Sequence, residues 1–192
     1  YPDSYESWWG IDTLPRVRSD EASYREFLFG EKGIVRRYTR MGIDGWRLDV
    51  ADELPDRFLE ELRERIHSVN PESVLIGEVW ENAADKVAYG KRRRYFRGRQ
   101  LDGVMNYPVR KGLISFASKG DAYALAAALR EIWGSYPRAV SHSLMNLLST
   151  HDTERILTVL GGPRDNGRYS NAQLRDMRLS PAEREIAVKR LS

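Results

Sequence analysis

The sequence predicts an α/β fold of parallel strands joined by helical crossovers, and three observations predict it. Apolar runs of strand length alternate four times with amphipathic runs of helix length. Three of the strand-like runs end in polar residues of a catalytic kind, "WRLD", "IGEVWE" and "STHD". No glycine-rich phosphate loop stands between a strand and a helix, which argues against a nucleotide-binding sheet. An open doubly wound sheet and a (β/α)8 barrel both have this alternation. A whole barrel typically needs about 250 residues, so four units in a chain of 192 amount to roughly half of one.

The elements follow in order. After an aromatic, turn-rich opening, residues 20–29 and 31–41 predict two helices. Residues 43–50 predict a strand, with Ile43, Trp46, Leu48 and Val50 as its apolar bulk. Arg47 and Asp49 lie two residues apart and so share one side of the extended chain. Charges in such a place are costly unless they are paired or used. Residues 53–67 predict a helix with Pro55 in its first turn and Phe58, Leu59, Leu62 and Ile66 at helical spacing. Residues 73–80, "SVLIGEVW", form the near-continuous apolar run of a strand covered on both faces.

A basic, loop-rich stretch leads to a short strand near 101–107. Residues 121–133 are amphipathic through Ala122, Leu125, Ala126, Leu129, Ile132 and Trp133, and Gly134 ends them. Residues 143–150 predict the last strand, a helix through 153–161 follows, and 161–180 read as loop. Ser180, Pro181 and Glu183 then announce a helix, as N-cap, first-turn proline and N3 glutamate. The chain leaves that helix after about three turns and opens without Met, so both ends read as excisions from a longer protein. No repeat or linker divides the sequence, and 1–192 read as one partial catalytic domain.

Composition narrows the classes further. The net charge of +3 conceals one basic cluster, "KRRRYFRGRQ" at 91–100, with Lys91, Arg92, Arg93, Arg94, Arg97 and Arg99. Without those six, 25 basic residues face 28 acidic ones, so a nucleic-acid patch concerns one segment alone. The chain has no cysteine, which excludes disulfides, thiol catalysis and thiolate metal sites. No apolar run reaches bilayer length and nothing resembles a signal peptide. A cytoplasmic location is expected.

The strand ends gather Arg47, Asp49, Glu78, His151 and Asp152, where barrel enzymes build their sites. Carboxylates from separate strands suit a retaining glycosidase, in which one attacks the anomeric carbon and the other protonates the departing oxygen, about 5–5.5 Å away. One must be charged and the other protonated, so their surroundings must differ. Arg47 beside Asp49 favours charge, whereas Glu78 lies between Ile76, Gly77, Val79 and Trp80, a setting that disfavours it.

"GIDGWRLDVADEL", "LIGEVWE" and "MNLLSTHDTER" resemble three successive signature segments of the α-amylase family of glycoside hydrolases. "YESWWGIDTLPRV" is similar to a segment that its neopullulanase, cyclomaltodextrinase and maltogenic amylase branch carries before the nucleophile strand. The resemblance covers about residues 1–160 and implies strands four to seven of a (β/α)8 barrel. It implies Asp49 as nucleophile, Glu78 as general acid/base and Asp152 as the carboxylate that stabilises the transition state. Arg47 would orient Asp49, His151 would bond the sugar, and Glu53 and Trp80 would border the acceptor side. The implied partner is an α-glucan, with no nucleic acid and no membrane, and the parent is expected to be a homodimer. No cofactor is required; calcium occurs in many relatives, yet no residue here places a site. The family's Asp and Asn-His motif on an earlier strand has no counterpart, because no "NH" dipeptide occurs. Activity of the isolated piece is not expected.

Blander readings stand beside these. Arg47 and Asp49 would make a buried structural ion pair, Glu78 would cap a following helix, and His151–Asp152 would cap another. His67 and His142 read as ordinary surface or capping histidines, since neither makes a ligand spacing with His151. Tyr95 and Phe96, interleaved in the basic run, would stack bases in a nucleic-acid module or sit in a solvated loop. Tyr5, Trp8 and Trp9 would pack outer loops or stack on sugar rings. A catalytically silent carbohydrate-binding relative is the remaining alternative, and the intact acid, nucleophile and stabiliser set argues against it.

Overall fold

The computed structural model describes residues 5–162 and 170–192; the start of the aromatic opening and residues 163–169 of the loop expected at 161–180 lie outside the described residues. The chain forms two compact units, Tyr1–Trp46 with Leu54–Val74, and Arg47–Glu53 with Leu75–Ser192.

The first unit opens on a closed turn. Trp8–Gly10 make one turn of 3-10 helix, the Trp8 N–H donates to the Leu14 carbonyl at 2.8 Å, and the Arg16 N–H to that of Glu6 at 2.8 Å. The Trp8 and Trp9 rings stack on each other, 4.1 Å between centroids. Helices α1 (Ala22–Phe29) and α2 (Ile34–Arg40) follow. Helix α3 (Asp56–His67) buries Phe58, Leu59, Leu62 and Ile66, the expected stripe. Each side chain contributes about 1.5–3 kcal/mol by leaving water, and the Phe58 ring meets Phe29 at 5.0 Å. The helix starts later than expected, because residues 51–53 form a separate 3-10 turn and Pro55 stands at the N-cap in extended conformation. The residue before a proline is pushed away from the helical region, which separates the two.

Strands β1 (Gly45–Leu48) and β2 (Val74–Gly77) carry the chain from the first unit into the second. There a hairpin of β3 (Val87–Ala88) and β4 (Lys91–Arg92) precedes β5 (Gly103–Val104). The main sheet has the order β1-β2-β5. Glu78 N–H donates to Leu48 O at 2.9 Å and Met105 N–H to Gly77 O at 3.0 Å. Strands β2 and β5 run parallel, with Ile76 opposite Gly103.

Helices α4 (Tyr107–Lys119), α5 (Ala122–Ser135) and α6 (Arg138–His142) follow, then α7 (Ile156–Gly161), α8 (Asn171–Asp176) and α9 (Pro181–Leu191). Helix α4 was not expected; Asn106 caps it by accepting the Val109 N–H, Pro108 sits in its first turn, and Gly120 closes it at φ +72°. It lies close on α5, since a Cβ at Gly112 would meet the Ala128 Cβ at 3.1 Å. Helix α5 continues through Gly134 to Ser135. Within the stretch read as loop, Ser170 and Gln173 form a capping box that starts α8.

The expected strand at 143–150 is reduced to one parallel bridge, Met105 with Met145. Its backbone is committed elsewhere: the Ser143 N–H closes the end of α6 on Val140 O, and Leu148 O accepts from Arg110 Nε at 2.8 Å. Thr150 N–H donates to Thr153 Oγ1 at 2.9 Å. Among the described residues, no helix is long and apolar enough to cross a membrane.

Candidate active site

The site is built where β1 and β2 end. Leu48 is the last residue of β1, so Asp49 stands one step beyond it, and Val50 turns the chain at φ +40°. A β-branched residue at positive φ is a strained conformation that the surroundings must hold. The consequence is a backbone donor aimed across the sheet: Val50 N–H donates to Glu78 Oε2 at 2.7 Å. Glu78 in turn directly follows β2, and its main chain is locked on both sides, N–H to Leu48 O and C=O to Ala51 N–H at 3.1 Å.

Arg47 joins the two carboxylates. Its Nη1 donates to Asp49 Oδ1, and its Nη2 lies 3.2 Å from Glu78 Oε2, an ion-pair contact without hydrogen-bond alignment. The other Glu78 oxygen accepts the Trp80 indole N–H at 3.0 Å. The Trp80 ring stacks flat on Tyr107, 4.0 Å between centroids and 8° between planes. The Glu78 side chain is 6% exposed and that of Asp49 72%. Arg47 and Asp49 are therefore not the buried structural bridge considered above, and the apolar setting expected for Glu78 is instead one in which two hydrogen-bond donors and the Arg47 guanidinium converge. Nor does Glu78 cap a helix, since the next helix is α4.

His151 and Asp152 meet each other, Nε2 to Oδ2 at 3.2 Å. They sit in a tight turn in which Asp152 N–H donates to Thr150 Oγ1 at 3.2 Å. This turn precedes α7, whose N-cap is Arg155, so the reading of Asp152 as a helix cap is corrected. Among the described residues no hydrogen bond or ion pair joins His151 or Asp152 to the Arg47–Glu78 cluster.

The turn after Asp49 is gripped by the segment after Glu78. The Tyr95 hydroxyl donates to Asp52, Lys86 Nζ lies 3.1 Å from Asp52 Oδ2, and the Tyr89 hydroxyl donates to Glu53. Burial first, and then the bond to Asp52, push the Tyr95 phenol well above its ordinary value. For Lys86 burial acts downward, but Glu81 and Asp52 outweigh it and the ammonium is held above its ordinary value. Arg93 lies over the Tyr95 ring at 5.0 Å, and Phe96 packs on Tyr136 at 4.7 Å. The two rings proposed for base stacking are thus committed inside the fold. His67 ends α3, with Nε2 3.0 Å from Ser73 O, and His142 ends α6 rather than leading into a strand. Among the described residues no three His, Asp or Glu side chains group in a way that could hold a metal ion.

Sequence reasoning missed the Val50 N–H, Tyr107 and Tyr89. A positive φ at valine leaves no trace in composition, whereas "MNYP" carried the helix-start signal that places Tyr107.

Two carboxylates at the ends of adjacent strands, bridged by one arginine, lie where barrel enzymes build their sites. The model of the α-amylase catalytic domain matches residues 11–180, and the chain belongs to that family. Its sheet and helices form part of a (β/α)8 barrel. It is 36% identical to Neopullulanase 2 of Thermoactinomyces vulgaris over 154 residues, 79% of this chain and 24% of that protein. It is 33% identical to a cyclomaltodextrinase of Geobacillus thermopakistaniensis over 82% of this chain and 29% of that protein. The debranching enzyme of Nostoc punctiforme superposes with a TM-score of 0.71 at 32% identity, over 84% of this chain and 35% of that one. The chain thus spans about a quarter to a third of the length of these relatives.

Proposed function

We propose that this chain carries the catalytic centre of a retaining glycosidase acting on α-glucans. Asp49 is the nucleophile, Glu78 the general acid/base, and Asp152 the carboxylate that holds sugar hydroxyls and stabilises the transition state. The observation that carries the reading is Arg47 touching Asp49 and Glu78 together. Asp49 Oδ attacks the anomeric carbon as the glycosidic C–O bond breaks, and Glu78 gives its proton to the departing oxygen. A water deprotonated by Glu78 then cleaves the glycosyl–Asp49 ester, and α configuration is retained. Arg47 orients Asp49, and His151 bonds the sugar in the cleavage subsite. Glu53 and Trp80 border the acceptor side, where water and a second sugar compete for the intermediate.

Relatives named for pullulan, cyclomaltodextrins and debranching support α-1,4 linked substrates with α-1,6 bonds in range. The test uses the full-length enzyme that contains this chain, assayed on maltotriose and on α-maltosyl fluoride, whose leaving group needs little protonation. Asp49→Asn is expected to lose turnover of both, and Glu78→Gln to keep far more of the fluoride reaction than of the maltotriose reaction. Wild-type turnover in Asp49→Asn, or equal losses on both substrates in Glu78→Gln, contradicts the assignment.

A further inference from the structure

The β3–β4 hairpin turns on two residues, Tyr89 and Gly90, between the paired Ala88 and Lys91. Both turn residues sit at positive φ, Tyr89 at +53° and Gly90 at +71°, as the tight two-residue turns that match strand twist require. Glycine suits its place. Tyrosine does not: asparagine, aspartate or glycine is the usual residue there, and an aromatic side chain at positive φ is strained. The strain is held at the hairpin's base, where Arg92 pairs with Asp85 and Arg93 N–H donates to Lys86 O at 2.8 Å. Lys86 and Tyr95 tie the same base to Asp52.

The tyrosine that breaks the turn rule is 70% exposed, yet its hydroxyl is fixed on Glu53. Glu53 lies four residues past Asp49 in the turn whose Val50 N–H holds Glu78. The ring is thus largely exposed while its hydroxyl is held on Glu53, on the segment that follows Glu78. A pyranose presents apolar C–H faces to such rings, and an exposed oriented aromatic is an inexpensive surface for one.

We propose that Tyr89 is a specificity-determining residue whose ring stacks on a sugar unit on the leaving-group side of the scissile bond. The inference rests on the glycosidase reading above, because Glu78 meets the departing oxygen and the hairpin continues from its loop. The strain at Tyr89 is then the cost of placing a ring where the turn alone would take asparagine.

The experiment uses Tyr89→Asn in the full-length enzyme. That change creates an Asn-Gly turn, favourable to the hairpin, and removes the ring. Its KM for maltotriose and longer maltooligosaccharides is expected to rise about three- to tenfold. Its kinetics on α-maltosyl fluoride, which has no sugar on the leaving side, are expected to match wild type, with a melting temperature no lower. Unchanged oligosaccharide KM, or an equal rise in KM for the fluoride, overturns the proposal. So does a Tyr89→Phe enzyme as impaired as Tyr89→Asn, since the hydroxyl and not the ring would then carry the effect. A wild-type enzyme that turns over neither substrate overturns the glycosidase reading itself, and this proposal with it.

Discussion

The Val50 N–H donates to the Glu78 carboxylate at 2.7 Å across 28 positions of sequence, and it does so from a backbone φ of +40°. The Glu78 side chain is buried, where leaving one of its oxygens without a partner is costly. The bond holds one oxygen of Glu78, the proposed acid/base residue, with a donor whose position is set by main-chain geometry.

Replacing Val50 therefore separates backbone from side chain. Val50→Gly keeps the donor and removes the strain of a β-branched residue at positive φ. It is expected to melt within a few degrees of wild type and to keep its kcat. Val50→Pro removes the donor and cannot adopt φ +40°. It is expected to lose about 3 kcal/mol of stability or more and most of its activity. Parallel melting curves and kcat values on α-maltosyl fluoride check this; wild-type kcat in Val50→Pro would show the bond to be idle.

Arg47→Lys tests the bridge. A guanidinium presents several donors in a fixed fork, whereas an ammonium is a point charge on a flexible stem. Lysine can retain the charge beside Asp49 or Glu78 but not span both as Arg47 does. Its kcat is expected to fall roughly 10²–10³-fold, the range seen when one preorganised group is lost, with a smaller change in KM. A lysine enzyme within a fewfold of wild type would make the bridge dispensable.

The difference between what was legible in the sequence and what was not has a physical basis. Arg47, Asp49 and Glu78 were singled out because each sits at or beside a strand end, and strand ends announce themselves through apolar runs; Trp80 was singled out through the family resemblance. Their partners were not found when the partner was a backbone atom: Val50 contributes through φ, which its side chain does not advertise. Residues 143–150 read as a strand because they are apolar. Apolarity cannot reveal that Ser143 is taken by α6 and Leu148 O by Arg110. Helix α4 was missed for the opposite reason, its Asn106 cap and Gly120 stop being outweighed by the strand-like "GVMNY" before them.

Trp80→Phe removes one donor and little else. The indole N–H is the bond on Glu78 Oε1, and phenylalanine can keep the stack on Tyr107. Leaving a buried polar group without its partner costs about 1–3 kcal/mol, so kcat on maltotriose is expected to fall about tenfold. The pH–rate profile should move as well, because the bond acts on the group proposed to transfer the proton. Trp80→Ala also exposes Tyr107 and is expected to lower the melting temperature further. A Trp80→Phe enzyme with unchanged kcat and pH profile would leave Trp80 a packing residue alone.

Alkaline stability should report the Asp52 network. The Tyr95 phenol is held above its ordinary value by burial and then by its bond to Asp52. The Lys86 ammonium is held up by Glu81 and Asp52 against burial, which acts the other way. Both groups thus keep their protons more tightly folded than unfolded. In the unfolded chain tyrosine titrates near about 10 and lysine near about 10.4. Below those values both states are protonated and the contribution is fully present. Above them the unfolded chain releases protons that the folded chain retains, so stability falls as pH rises toward the folded values. The melting temperature of the full-length enzyme is therefore expected to be flat in this respect to about pH 9.5 and to drop between about pH 10 and 11. Tyr95→Phe removes one of the two titrations. It is expected to start lower at pH 8, having lost the bond to Asp52, and to decline less steeply above pH 10. Parallel slopes for the two proteins through that range would show that the Tyr95 proton does not stabilise the fold.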